Sequence, residues 1–134
     1  MEEKLLEEWQ ERLGLQDWAI CLRINCKQTD LEDQNAVGET EWSATIKSAF
    51  IRIVSKEEYG ERMLDFDFEK TLVHELLHLK FAIIDLENTS YESKVVELAR
   101  HQLLDDLARA LVMAKRGKTK IELASDCPKV KDML

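Results

Sequence analysis

Apolar and polar residues recur along this chain with two different periods, and the changes of period mark out its elements. From Glu2 to Leu13, the residues Leu5, Leu6, Trp9 and Leu13 return at helical spacing, and Gly14 follows as a stop. From Asp17 to Cys26 the period falls to two: Trp18, Ile20, Leu22 and Ile24 lie on one side, which predicts a half-buried strand. Thr29 to Asn35 is polar and turn-like. A weaker strand is predicted over Ala36 to Ile46, around Gly38, and a stronger one over Ala49 to Val54, the two forming a hairpin through Lys47 and Ser48. Ser55 to Leu64 reads as a charged connection with one helical turn.

Helical spacing then returns. Asp65 or Asp67 is suited to cap a helix that runs to about Ile84. Asp85 to Ser90 is a predicted loop, and Thr89 with Glu92 forms a capping box that opens the last long helix. Apolar positions of that helix include Val96, Ala99, Leu103, Leu107 and Leu111, and Lys115 and Arg116 ahead of Gly117 close it. Strands grouped before helices predict an α+β fold: an N-terminal helix, a short three-stranded sheet, and two long helices on one face of it. The 134 residues suggest a single domain, 1–117, followed by a tail, 118–134, and no internal repeat is evident.

The chemistry is concentrated in the first long helix, whose segment TLVHELLHLKF holds His74, Glu75 and His78 in the pattern H-E-x-x-H. Residues four apart lie one turn apart on the same helix face, so the two imidazoles converge on one point. Imidazole nitrogen is a good Zn²⁺ ligand at about 2.0–2.1 Å. Glu75, next to the first ligand, is placed to reach a water at the metal rather than the metal itself, as the general base of a hydrolase must. The flanking residues Leu72, Val73, Leu76, Leu77, Leu79 and Phe81 are apolar, so this helix is expected to be largely buried.

A catalytic zinc site needs three protein ligands, and the last helix offers the third. His101 is the remaining histidine of the chain and sits at the edge of that helix's apolar sector, next to Ala108 and Val112. Glu97, one turn earlier, falls between Leu104 and Ala108, inside the sector. Between the two, His101 is preferred because borderline-soft Zn²⁺ takes imidazole readily, and Glu97 or Asp105 is then free to hold a ligand's second N–H. Glu92 is accounted for by its capping box.

The combination of HELLHLKF with HQLLDDLARAL resembles the small zincin-like metallopeptidases of Gram-positive bacteria and their prophages, over residues 14 to 115. The resemblance implies a zincin-like fold with a short twisted sheet on the motif helix. It also implies His74 and His78 as zinc ligands and Glu75 as general base. Position 84 is Ile, so the extended metzincin pattern is missing. A thermolysin-like arrangement would favour Glu97 as third ligand; a SprT-like one would favour His101.

Composition narrows the field. With 27 acidic and 19 basic residues the formal net charge is -8, which repels phosphate backbones and argues against nucleic acid as a partner. No run of apolar residues is long enough for a membrane span, and the N-terminal stretch is too charged for a signal peptide. Cys21, Cys26 and Cys127 are odd in number and widely spaced, as expected of reduced thiols in the cytoplasm. The expectation is therefore a cytoplasmic zinc metallopeptidase acting on a peptide or protein substrate, with the strand around Phe50 to Ile53 aligning that substrate by strand addition. Tyr59, Tyr91 and the three tryptophans are expected to serve packing. A zinc-stabilised binding module with little activity is the alternative, and a metal-free helical interaction protein is a third reading.

Overall fold

The computed structural model describes residues 1–82 and 94–117. Among these residues four α-helices and three strands follow in the order α1 (Glu2–Leu13), β1 (Ala19–Cys26), β2 (Gly38–Ser43), β3 (Ser48–Val54), α2 (Lys56–Tyr59), α3 (Phe68–Lys80) and α4 (Lys94–Arg116), with a 3-10 turn, Gln28–Asp30, after β1. This is the α+β arrangement that the grouping of periods predicts. Gly14 ends α1 in the left-handed conformation at φ 69°, and Gly117 takes the same φ after α4.

The sheet order is β1-β3-β2, with β1 parallel and β2 antiparallel to β3. β3 is thus the central strand, and its alternate residues Ala49, Ile51 and Ile53 are buried. The β2–β3 hairpin turns through residues 44–47, and Ser48 already pairs with Ser43, so the turn precedes the predicted Lys47–Ser48 position. Lys47 carries the positive φ, 50°, that reverses the chain. Helices cover one face of the sheet. The other face carries polar and partly exposed groups: Arg52 pairs with Glu39 at 3.5 Å and Glu41 at 2.8 Å, and lies 4.5 Å over the Phe50 ring.

Asp67 is the N-cap of α3, its carboxylate accepting the Lys70 backbone N–H at 3.0 Å. The helix ends at Lys80 rather than near Ile84. The Phe81 N–H is shared by the Leu77 and His78 carbonyls and the backbone leaves helical geometry there; residue 84 lies outside the described residues. His78 therefore stands in the last turn of α3. The predicted loop 85–90, the Thr89–Glu92 capping box, Tyr91, Cys127 and the tail 118–134 also lie outside the described residues.

The helices α3 and α4 run antiparallel: Asp67 meets Arg116, Lys70 meets Asp105, and His78 lies beside His101. Leu72, Val73 and Leu76 of α3 share a core with Leu104, Ala108 and Val112 of α4, with Ile51 and Ile53 of β3, and with Trp9. The buried stripe of α4 is thus 104, 108 and 112. Val96, Ala99, Leu103, Leu107 and Leu111, the apolar positions that the spacing picked out, are exposed instead. Adjacent stripes on a helix differ by one residue, about 100° of rotation, and the polar partners of α4 decide between them. Lys115 bonds Glu69 and Glu8, and Arg116 grips Asp67 at 2.7 and 3.0 Å and Glu69 at 3.1 Å. Trp9 Nε1 donates to Glu69 at 2.6 Å. This clamp joins α1, α3 and α4 and fixes the rotation that turns His101 toward α3.

Candidate metal centre

One nitrogen from each of His74, His78 and His101 lies within 4.8 Å of the others. The imidazole of His101 stands 5.2 Å from that of His78, edge-on, and 6.1 Å from that of His74, nearly parallel. A tetrahedral ion with bonds of about 2.0–2.1 Å spaces its nitrogens by roughly 3.3 Å, so small ring rotations close the difference. His74 and His78 are half-buried and His101 is exposed. Burial, with His74, His101 and Arg100 nearby, pushes the His78 imidazole down to about 3, leaving a neutral ring with its lone pair available at neutral pH.

The partner of His74 is Asp105, whose Oδ1 lies 3.5 Å from Nδ1. With Nδ1 directed to a carboxylate, Nε2 is the nitrogen left to bind an ion, the usual arrangement around a metal-bound histidine. Asp105 is held in turn by Lys70 at 3.1 Å and by Arg109. The hydrogen bond with His74 outweighs burial and, with Lys70 and Arg109, holds the Asp105 carboxyl well below the usual range. Of the two second-N–H partners that the α4 spacing offered, Asp105 is the one in place. Glu97 lines the same cavity but is exposed, and it is not one of the three converging side chains. The expected place inside the apolar sector is therefore not a buried one: among the described residues α3 ends at Lys80, before it can cover the turn of α4 that carries Glu97.

Glu75 lines the same cavity and reaches β2. It is 4% exposed, and its Oε1 accepts the Thr40 hydroxyl at 2.6 Å. Burial raises its carboxyl above the ordinary value, with Glu39 adding to the rise and His74 and the Thr40 hydrogen bond opposing it. Alternate residues of β2 line one side of the motif: Gly38 and Thr40 lie against Glu75, and Trp42 stacks on His78 with ring centroids 6.1 Å apart. None of the three was singled out from the sequence for the site. Only the period of two, applied to a weak strand, places them on one face, and nothing local says that the face meets α3. Tyr59 packs on Phe66 and donates to the Leu64 carbonyl at 2.7 Å, a packing residue as expected.

β2 is an edge strand, whereas β3, which holds Phe50 to Ile53, is covered on both sides and cannot accept a further strand. The predicted strand-addition site at Phe50–Ile53 is therefore excluded. The Val54 N–H bonds the Val37 carbonyl at 3.0 Å, so in this antiparallel register residues 39, 41 and 43 also turn their backbone groups toward β3. Gly38, Thr40 and Trp42 turn theirs to the outer edge, which among the described residues has no strand partner. That edge borders a cavity of about 690 Å³, lined by β2, α3 and α4 and including all three histidines and Glu75.

The donor set fits a borderline-soft divalent ion: three imidazoles from two clamped helices, one ring oriented by a carboxylate. No helix among the described residues is long and apolar enough to cross a membrane. Compared with known proteins, the chain matches no family model, no curated protein and no solved structure.

Proposed function

We propose that the protein is a zinc-dependent peptide hydrolase in which His74, His78 and His101 hold the ion and Glu75 is the general base. The observation that carries this reading is the convergence of three histidines beside a buried glutamate in one open cavity. A purely structural zinc site has no use for that glutamate. When bound, zinc supplies Lewis acidity, bringing a water's pKa toward roughly 7 and polarising a carbonyl.

The chain's own groups supply the rest. Asp105 keeps the His74 ring turned with Nε2 inward. Glu75, raised by burial, is a stronger base than an ordinary carboxylate; it takes the proton of the attacking water and returns it to the leaving amine. An extended peptide would add to the free edge of β2, its backbone bonding to Gly38, Thr40 and Trp42 while the cavity accepts its side chains. The predicted cytoplasmic setting and peptide or protein partner belong to this same reading.

The test is Glu75→Gln in zinc-loaded protein, assayed on a mixed library of quenched fluorogenic peptides. Zinc content should be unchanged and hydrolysis should fall by about 10²–10⁴-fold. Equal rates for the two proteins would overturn the hydrolase reading and leave a zinc-stabilised binding module.

A further inference from the structure

We propose that Thr40 is a positioning residue for Glu75, and that β2 rather than the motif helix sets where the carboxylate points. The inference rests on the hydrolase reading above. The helix fixes only the Cα of Glu75; three side-chain torsions remain between it and the carboxylate. Among the described residues, Thr40 is the side chain that hydrogen-bonds this carboxylate, at 2.6 Å. Thr40 is held in place by its neighbours Glu39 and Glu41, whose backbone groups turn toward β3, and it lies opposite Ile51, a fully buried residue of that central strand.

Gly38 completes the seat. A Cβ at that position would lie 3.0 Å from Glu75 Oε2 and 3.1 Å from both Glu75 Cγ and Thr71 Cγ2. Gly38 has no positive φ, so glycine serves the close approach of strand and side chain, not a turn. Oε1 is thus tied by Thr40, while Oε2 lies in the space that Gly38 leaves. The backbone of these same two residues faces the free edge. A peptide docked there would be bound by the residues that aim the base, so the base and the scissile bond share one frame of reference.

The experiment compares zinc-loaded wild type, Thr40→Val, Thr40→Ser and Gly38→Ala, with unfolding curves and zinc content as controls. Thr40→Val should keep its zinc and its KM and lose about 10- to 100-fold in kcat, the scale of a misplaced catalytic group, with Thr40→Ser restoring most of it. Gly38→Ala should lower kcat with zinc retained. A Thr40→Val protein with wild-type kcat would overturn the proposal.

A second arm needs no substrate. The infrared difference spectrum of wild type against Glu75→Gln isolates the Glu75 carboxyl band, which should shift in Thr40→Val and return in Thr40→Ser. An unmoved band would overturn the proposal. If wild type cleaves none of the peptides, the hydrolase reading fails, and the infrared arm alone decides whether Thr40 aims Glu75.

Discussion

The two ends of the α3–α4 pair use their polar groups in opposite ways. At the N-terminal end of α3, every charge closes on another: Glu69 accepts from Trp9, Lys115 and Arg116, and Arg116 forks onto Asp67. At the other end, three imidazoles turn nitrogens toward one another, and among the described residues Glu75 has one side-chain donor, Thr40. A saturated network holds elements in register, whereas a converging set of lone pairs is costly to assemble and is complementary to a cation. The first end places the second: Arg116 and His101 are 15 residues apart on one rigid helix, about 22 Å.

The largest expected effect comes from breaking what joins the two ends. Leu104 is fully buried between α3 and α4, and Leu104→Ala should cost about 2–5 kcal/mol in chemical denaturation while also weakening zinc binding. Next is the clamp itself. Lys115→Met leaves the buried Glu69 short of one donor and should cost about 1–3 kcal/mol, with zinc affinity unchanged in the folded protein. A large loss of affinity in that variant would show that the ends are not separable.

Acid should separate the ends by pH. His78 titrates near 3 in the folded, zinc-free protein against about 6.5 when unfolded, so the unfolded chain takes up its proton first. Stability is therefore lost as pH falls from about 6.5 toward 3, and substituting His78 with Gln should flatten that limb. Burial would raise Asp67 and Glu69, but hydrogen bonds from Arg116 and the Lys70 backbone to Asp67, and from Lys115, Trp9 and Arg116 to Glu69, outweigh it and depress both carboxyls. Their contribution is present above the ordinary carboxylate range and is lost below about 4, so Lys115→Met should alter only that lower limb. The smallest effect is expected at Leu103, one residue from Leu104 but 50% exposed: Leu103→Ala should stay within about 0.5 kcal/mol.

Local chemistry was legible in the sequence and long-range pairing was not. The stop at Gly14 and the convergence of His74 with His78 follow from residues a few positions apart, where helix geometry leaves no choice, and the cap was narrowed to Asp65 or Asp67. His101 could be named because imidazole is scarce in this chain. The rotation of α4 was ambiguous because its 103 and 104 stripes are both apolar, and the choice depends on Asp67, Glu69 and Glu8, far away in sequence. Strand order was hidden for the same reason. AFIRIV is the most apolar strand because it is central, and that centrality denies it the substrate-aligning role that its strength suggested. Thr40, Gly38 and Trp42 lie in a weak strand whose importance comes from lying against α3.

Ligation by the three histidines stands or falls on the zinc content of the purified chain, measured by elemental analysis for wild type, His101→Ala and Glu97→Ala after dialysis against a weak chelator. About one zinc per chain is expected in wild type and in Glu97→Ala, as a three-ligand catalytic site requires, and its loss in His101→Ala. Wild-type protein that neither retains nor tightly rebinds Zn²⁺, or a site that survives without His101, would contradict it.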